Sequence, residues 1–388
     1  MSKAVLDAVR DLLPQFRDRA EEAERLRVVP EASIKDLEAS GFFRLLQPKR
    51  FDGLESDPVD FYSAVKLIAS ACGSTGWVSS VVGVHPWQVA LFPDTAQQAV
   101  WGEDTNTRLS SSYAPTGKAL LVEGGYRLSG RWSFSSGCDH ASWVLLGGLV
   151  SNDEGQIVDF KTFLLPRSDY TIEDVWDTVG LRGTGSNDIV VEDVFVPADN
   201  TLSMGDTGKC YGPGQEQNTS NLYELPFHSI FTSTITTPII GMAAGAYDEH
   251  VEMQRTRVRA AYIAEKTVND PFASVRIARA SSDIDAAWAL LMNNIREEQA
   301  LVEKGEKIPL GLRLKVRRDQ VIGTERAIAA IDQLFENSGG RALASGTYLQ
   351  RAWRDAHAGR AHAANDPERA LQMYGAVEFG QKIDPGMY

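Results

Sequence analysis

The sequence predicts an α+β protein in which a helical segment, a β segment and a longer helical bundle follow one another over residues 1–108, 109–217 and 218–388. Three observations carry that reading. Apolar residues recur at three- and four-residue spacing at both ends of the chain. The pattern changes to alternation in the middle, and glycine and proline gather where the period changes. Helices, then strands, then long helices is an uncommon order, and it restricts the architecture more than composition does.

The elements follow in sequence. Val5, Val9, Leu12, Leu13 and Phe16 give the first helix one apolar face. Pro30 before Glu31, with Gly41 after Leu37, marks a short helix by its proline start and glycine stop. Further helices are expected over 58–70 and from Ser74 onward, with Ser74 as the cap. Strands are expected over 120–122, 126–134, 143–150, 163–165 and 189–196, the last ending at Pro197. Residues 204–217 read as a loop. Long helices then follow over 238–265, 271–304 and 312–337, the last stopped by Gly339 and Gly340, with shorter ones over 348–360 and 367–374.

The bulk numbers narrow the function. A chain of 388 residues, 43% hydrophobic and 23% charged, is that of an ordinary globular protein. A net charge of −13 argues against nucleic-acid and anionic-membrane surfaces, which recruit Lys and Arg. Cys72, Cys138 and Cys210 are widely spaced, so neither a disulfide framework nor a metal site is expected. The start MSKAVLDAVRDLLPQF is too charged for a secretory signal, and no apolar run reaches membrane length. The expectation is a soluble, cytoplasmic protein.

One stretch is less generic. Val179-Gly180-Leu181-Arg182-Gly183-Thr184-Gly185-Ser186-Asn187 precedes a strand ending in Val196-Pro197. Its glycines permit tight turns, and its hydroxyls and N–H groups can donate to a flavin or phosphate. No GxGxxG opens a helix after a strand, so no NAD site is expected. This stretch, with the helix–strand–helix order, resembles the acyl-CoA dehydrogenase superfamily. Residues 72–80 (CGSTGWVSS), 111–115 (SSYAP), 132–143 (WSFSSGCDHASW) and 354–367 (RDAHAGRAHAANDP) narrow it. Together they resemble the oxygenase components of two-component flavin-dependent monooxygenases, over essentially the whole chain, and in particular those acting on a phenolic seco-steroid in bacterial steroid degradation.

The resemblance implies a set of roles. Reduced FMN (FMNH2, with FAD as the alternative) comes from a separate NADH-dependent flavin reductase and reacts with O2. The resulting C4a-hydroperoxide hydroxylates the phenol ortho to its hydroxyl, giving a catechol. Such chemistry needs a group that draws off the phenol proton and a pocket that excludes water. His362 matches the family's base, and imidazole has a suitable pKa. Ser136 matches a serine that bonds the substrate or the flavin hydroperoxide. Trp77, Ser111, Ser112, Tyr113, Phe134, Ser135 and Ala363 fall at flavin positions. Arg257, on a long helix, with Gly339, Gly340 and Arg341, falls where the family holds the cofactor, often across subunits, so a homotetramer is expected.

Other readings stay open. Asp139 and His140 lie within a motif but read as a structural Asp–His pair. His85, His228, His250 and His357 show no ligand spacing, so no metal is expected. An FAD-dependent acyl-CoA dehydrogenase remains the alternative enzyme, although no motif places its glutamate base. A helical scaffold without catalysis is the alternative of another class.

Overall fold

A computed structural model describes residues 2–259 and 265–383. Six helices come first: α1 (Ser2–Asp18), α2 (Ala20–Leu26), α3 (Glu31–Ala39), α4 (Pro58–Ala71), α5 (Gly73–Val89) and α6 (Asp94–Trp101). Every residue of α5 is buried, so it has no wet face and no amphipathic stripe. One of its hydroxyls is satisfied within the helix: Ser79 Oγ donates to the Thr75 carbonyl at 2.6 Å. The expected cap, Ser74, lies one residue inside the helix, and Cys72 holds the cap position without a side-chain bond. Ser74 Oγ instead accepts from the Gly183 amide at 3.2 Å, so its hydroxyl serves the glycine-rich turn rather than the helix start.

The middle of the chain forms one seven-stranded sheet. Its strands are β1 (Leu109–Val122), β2 (Gly125–Ser135), β3 (Trp143–Ser151), β4 (Ile157–Pro166), β5 (Thr171–Glu173), β6 (Asn187–Pro197) and β7 (Thr201–Ser203), in the order β5-β6-β2-β1-β3-β4-β7. β1 and β3 run parallel, while the other pairs are antiparallel. Leu128, Trp132, Leu146, Phe163 and Ile189 fill its own apolar core. The β1–β2 ladder stops at Lys118 and Ser129. Beyond that point hydroxyls join the strands: Thr116 to the Arg131 carbonyl at 2.9 Å, Ser112 to the Ser133 carbonyl at 2.8 Å, Ser135 to Ser110 at 3.1 Å. The serines and threonine that interrupt the apolar alternation hold the strands where backbone pairing has ended.

The loop expected over 204–217 contains two short turns, α7 (Met204–Thr207) and a 3₁₀ turn over Pro213–Glu216. Then come α8 (Phe227–Thr256), α9 (Pro271–Val302), α10 (Leu310–Ser338), α11 (Tyr348–Arg360) and α12 (Pro367–Glu378). α8 begins at Phe227, eleven positions before the expected proline start, and carries Pro238 inside it. A mid-helix proline removes one N–H and orphans the carbonyl four residues back. Here that carbonyl belongs to Thr234, and Ser80 Oγ of α5 donates to it at 2.7 Å. The break is thus repaired from a neighbouring helix. α8 ends at Thr256, so Arg257 follows the helix instead of lying on it. Residues 260–264 of the expected helix lie outside the described residues.

Candidate active site

Three elements meet at Trp77: α5, the turn after β2, and the loop after α11. Trp77 is 5% exposed, and its indole N–H donates to Ser136 Oγ at 3.2 Å. Gly359 of α11 has no Cβ to spare, since one would stand 2.9 Å from the Trp77 ring. The ring can therefore lie against the helix that carries His362. The Trp77 and His362 rings are 6.0 Å apart at 58°. Trp77, Ser136 and His362 are thus brought together.

Ser136 belongs to a chain of hydroxyls whose direction can be worked out. Thr184 Oγ1 donates to the Leu181 carbonyl at 2.9 Å. Its oxygen then accepts from Ser186 at 2.6 Å, and Ser186 accepts from Ser136 at 2.7 Å. With its proton committed to Ser186 and its oxygen receiving Trp77 N–H, Ser136 keeps one lone pair. It presents itself as an acceptor. Thr184 and Ser186 stand in the glycine-rich motif, yet their hydroxyls serve Ser136.

His362 opens a 3₁₀ turn, and its Nδ1 accepts from the Ala364 amide at 3.0 Å. A neutral imidazole with Nδ1 so engaged carries its proton on Nε2. The expected base therefore rests as a donor, because its accepting nitrogen is spent on the backbone. Burial, and then the nearby Arg317 guanidinium, push its pKa down to about 4, so it is neutral near pH 7. The loop around it is fixed by Asn365, fully buried, whose Oδ1 accepts from Gln320 at 2.8 Å and Thr324 at 3.1 Å. Asn365 Nδ2 donates to the Gly359 carbonyl at 2.8 Å, and Arg317 donates to the Ala364 carbonyl at 2.9 Å. The sequence marks Asn365 only as part of the 354–367 motif and does not mark Arg317, because their partners lie on distant helices. Only the AND run after His362 hinted at a turn.

The remaining expected residues divide. Phe134 is 68% exposed with φ at +70°, and it meets Trp176 edge-on at 6.1 Å. An exposed aromatic in a left-handed backbone beside buried hydroxyls is an unusual, strained arrangement. Its apolar face and the adjacent polar edge fit an isoalloxazine. Ser112 and Ser135 donate within the sheet, which leaves their acceptor sites. Ser111 is half-buried and Ala363 exposed. Tyr113 turns elsewhere: its hydroxyl donates to Gln88 Oε1, and its ring meets Phe227 at 5.5 Å and Phe231 at 5.0 Å.

Arg257, Gly340 and Arg341 form a separate group. Arg257 donates to the Asn337 carbonyl at 3.0 Å, and a Cβ on Gly339 would stand 2.9 Å from Arg257 Nη2. Gly340 and Arg341 are exposed beside it. Thr236 of α8 bonds Asn365 at 3.3 Å, and Arg257 lies 21 positions further along. At 1.5 Å per residue that is about 30 Å from the His362 loop. One chain does not bring the two groups together.

The other histidines have structural partners. His140 Nδ1 lies 3.3 Å from Glu31, not on Asp139, which accepts from Asn187 at 3.4 Å. The expected Asp–His pair is therefore replaced by two pairs, because β6 and α3 pack against that turn. His250 meets Ser338 at 2.8 Å, and His357 meets the Trp353 carbonyl at 2.8 Å.

Comparison with known proteins gives a consistent neighbourhood. Residues 2–106 match the family described as acyl-CoA dehydrogenase, N-terminal domain, and residues 233–367 match acyl-CoA dehydrogenase, C-terminal domain. The chain is 60% identical over 376 residues to the flavin-dependent monooxygenase, oxygenase subunit HsaA, of Rhodococcus jostii (strain RHA1), covering 97% of this chain and 98% of that protein. Identity to the protein of the same name from Mycobacterium tuberculosis is 54% over 385 residues, covering 99% and 97%. The crystal structure of 3-HSA hydroxylase from Rhodococcus sp. RHA1 superposes with a TM-score of 0.96 at 58% identity, over 99% of both chains.

Proposed function

The chain belongs to the acyl-CoA dehydrogenase family, among the oxygenase subunits of flavin-dependent monooxygenases, and on that premise we propose that it hydroxylates a phenolic seco-steroid ortho to its hydroxyl, giving a catechol. The observation that carries the reading is an acceptor, Ser136, placed with a donor, His362 Nε2–H, around Trp77. Reduced flavin, when bound, supplies with O2 the electrophilic oxygen. The side chains do the rest.

The substrate hydroxyl donates to the free lone pair of Ser136, which raises electron density at the ortho carbon. His362 holds a proton at Nε2 for the oxygen that gathers negative charge as the ring reacts. Should the substrate oxygen itself carry charge, the hydroxyl chain can turn round so that Ser136 donates. The Leu181 carbonyl that Thr184 Oγ1 then releases keeps the Thr184 amide at 3.2 Å and the Trp176 indole at 2.8 Å. No carbonyl is orphaned, so the reversal costs little. Trp77 and the closely packed Gly359 keep water from this corner.

For the cofactor we propose reduced FMN, its ring held near Phe134, Ser111, Ser112, Ser135 and Ala363. Its phosphate is held by Arg257, Gly340 and Arg341 of a neighbouring copy. The separation along α8 supports this division, and a homotetramer supplies the neighbour. A separate NADH-dependent reductase delivers the flavin. Among the described residues no helix is long and apolar enough to cross a membrane, and the three cysteines are free, which supports a place in the cytoplasm.

The test is turnover under ¹⁸O2 with a flavin reductase, NADH and either FMN or FAD. The expected product is a catechol carrying one labelled oxygen, formed faster with FMN. Hydrogen peroxide without catechol would overturn the assignment. Reduction of protein-bound FAD by an acyl-CoA would establish the dehydrogenase instead.

A further inference from the structure

We infer that Asp355 of α11, with Arg354 beside it, is a positioning residue for hydroxylation: it fixes the glycine-rich turn at which the hydroxyl chain from Ser136 ends. The inference rests on the reading of Ser136 given above and adds what sets that serine's proton from outside the site.

The chain through Ser136, Ser186 and Thr184 stops at the Leu181 carbonyl, so the place of that carbonyl decides where each proton points. Leu181 is a poor residue to hold it unaided. Its φ is +51°, in the left-handed region that an L side chain other than Asn or Asp rarely adopts. Bonds hold it from both sides. The carbonyl accepts from the Thr184 amide at 3.2 Å and the Trp176 indole at 2.8 Å, both from the same stretch of chain. The Leu181 amide donates to Asp355 Oδ1 at 2.6 Å, and Asp355 comes from 174 positions away.

Neighbouring contacts bind the same turn to α11. Arg354 Nη1 donates to the Val179 carbonyl at 2.7 Å, and its Nη2 donates to Glu24 of α2 at 2.6 Å. A Cβ on Gly180 would stand 2.2 Å from the Arg354 carbonyl, so only glycine lets the turn lie this close to the helix. Arg351, Asp355 and Gly359 follow at four-residue spacing and form one buried stripe on α11. Arg351 ties to Glu24 at 2.8 Å, Asp355 takes the turn, and Gly359 lies against Trp77. His362 comes next, its amide donating to the Gly359 carbonyl at 3.2 Å. One helix face therefore sets the acceptor, through Leu181 and the hydroxyls, and the donor, through the His362 loop. Asp355 is fully buried, and its second oxygen has no hydrogen-bond partner. A buried acid with one oxygen unpartnered adds little to stability, so its bond to Leu181 is what it contributes.

The experiment uses the full enzyme with its reductase and FMN, and reads catechol formed per O2 consumed together with kcat and KM. In Asp355→Ala the Leu181 carbonyl is freed and Ser136 loses its fixed proton. The kcat for catechol is then expected to fall about tenfold or more, with KM little changed and hydrogen peroxide making up the oxygen consumed. Asp355→Asn keeps an oxygen for the Leu181 amide and should retain coupling within about threefold. Ser186→Ala cuts the chain between the turn and Ser136. In that background Asp355→Ala should lose no more than about a further twofold, because its effect has no other path to the site. Full additivity of the two substitutions, a fully coupled Asp355→Ala, or an Asn variant as uncoupled as the Ala one overturns the proposal. Should Asp355→Ala not fold, Arg354→Ala takes its place: it releases the Val179 carbonyl, and its loss must likewise vanish in Ser186→Ala. Peroxide without catechol from the wild type would instead sink the hydroxylase reading itself.

Discussion

Ser80 donates its hydroxyl to the carbonyl of Thr234 at 2.7 Å, and that carbonyl is the one Pro238 leaves without a helical donor. The bond joins α5, which carries Trp77, to α8. Ser80→Ala would leave a buried carbonyl unsatisfied, at a cost of about 1–3 kcal/mol. Restoring the amide with Pro238→Ala should make the same serine substitution cheaper. The check is a double-mutant comparison of thermal midpoints at fixed protein concentration. Strict additivity would show that the serine does not act through the proline's gap.

His362 separates two mechanisms by one substitution. A base needs a lone pair where the substrate proton arrives, whereas a donor needs only an N–H. If His362 acts as the donor that its Ala364 bond makes it, His362→Gln should retain activity within about tenfold, while His362→Ala loses about a hundredfold or more. Reduced-flavin affinity should change little in either. A Gln variant as inactive as the Ala variant would restore the base role. The pH profile gives a second readout: with a pKa near 4, His362 contributes no ionisation between pH 5 and 8.

The change of period made the helix–strand–helix order legible, because burial on one face writes itself into local sequence. Contacts between distant segments do not. Pro238 reads as a helix start, and only Ser80, over 150 positions earlier, makes it an interior residue. Trp77, Ser136 and His362 were found through the resemblance of their motifs, but not the proton positions. Those depend on the Ala364 amide and on the run from Ser136 to Leu181. His85 is uninformative along the chain because its partner Tyr113 comes from β1.

The distance between Arg257 and the His362 loop predicts complementation between subunits. Arg257→Ala should weaken reduced-flavin binding, and His362→Ala should lose catalysis. If the site is shared, co-assembled Arg257→Ala and His362→Ala chains contain some sites with both residues intact. Tagged hybrids should then recover a measurable fraction of wild-type turnover, where each variant alone shows little. Hybrids no better than the sum of the parents would place both groups in the service of one chain.

Buried ionisable groups predict a stability maximum near neutrality. Burial, with Arg317 and Arg313 beside His228, pushes His85 and His228 down to about 3, and His362 down to about 4. The unfolded chain therefore binds more protons than the folded one below pH 6.5, the ordinary value, so these groups destabilise the fold as the pH drops from there. Burial moves Glu298 the other way, up to about 8, with Oε1 held by Ser229 at 2.7 Å. Asp355 rises to about 6 for the same reason. For these acids the folded state binds the extra proton, so stability falls as the pH rises through 8 for Glu298. Among these groups Glu298 alone changes the balance between 6.5 and 8, and lowering the pH helps. Below 6.5 the three histidines outnumber the two acids, and lowering it harms. Thermal midpoints across buffers from pH 5 to 9 should peak near 6.5. Glu298→Gln should flatten the alkaline side alone, since a neutral amide has no proton to lose. An alkaline limb unchanged in Glu298→Gln would show that the carboxyl is already ionised in the folded protein.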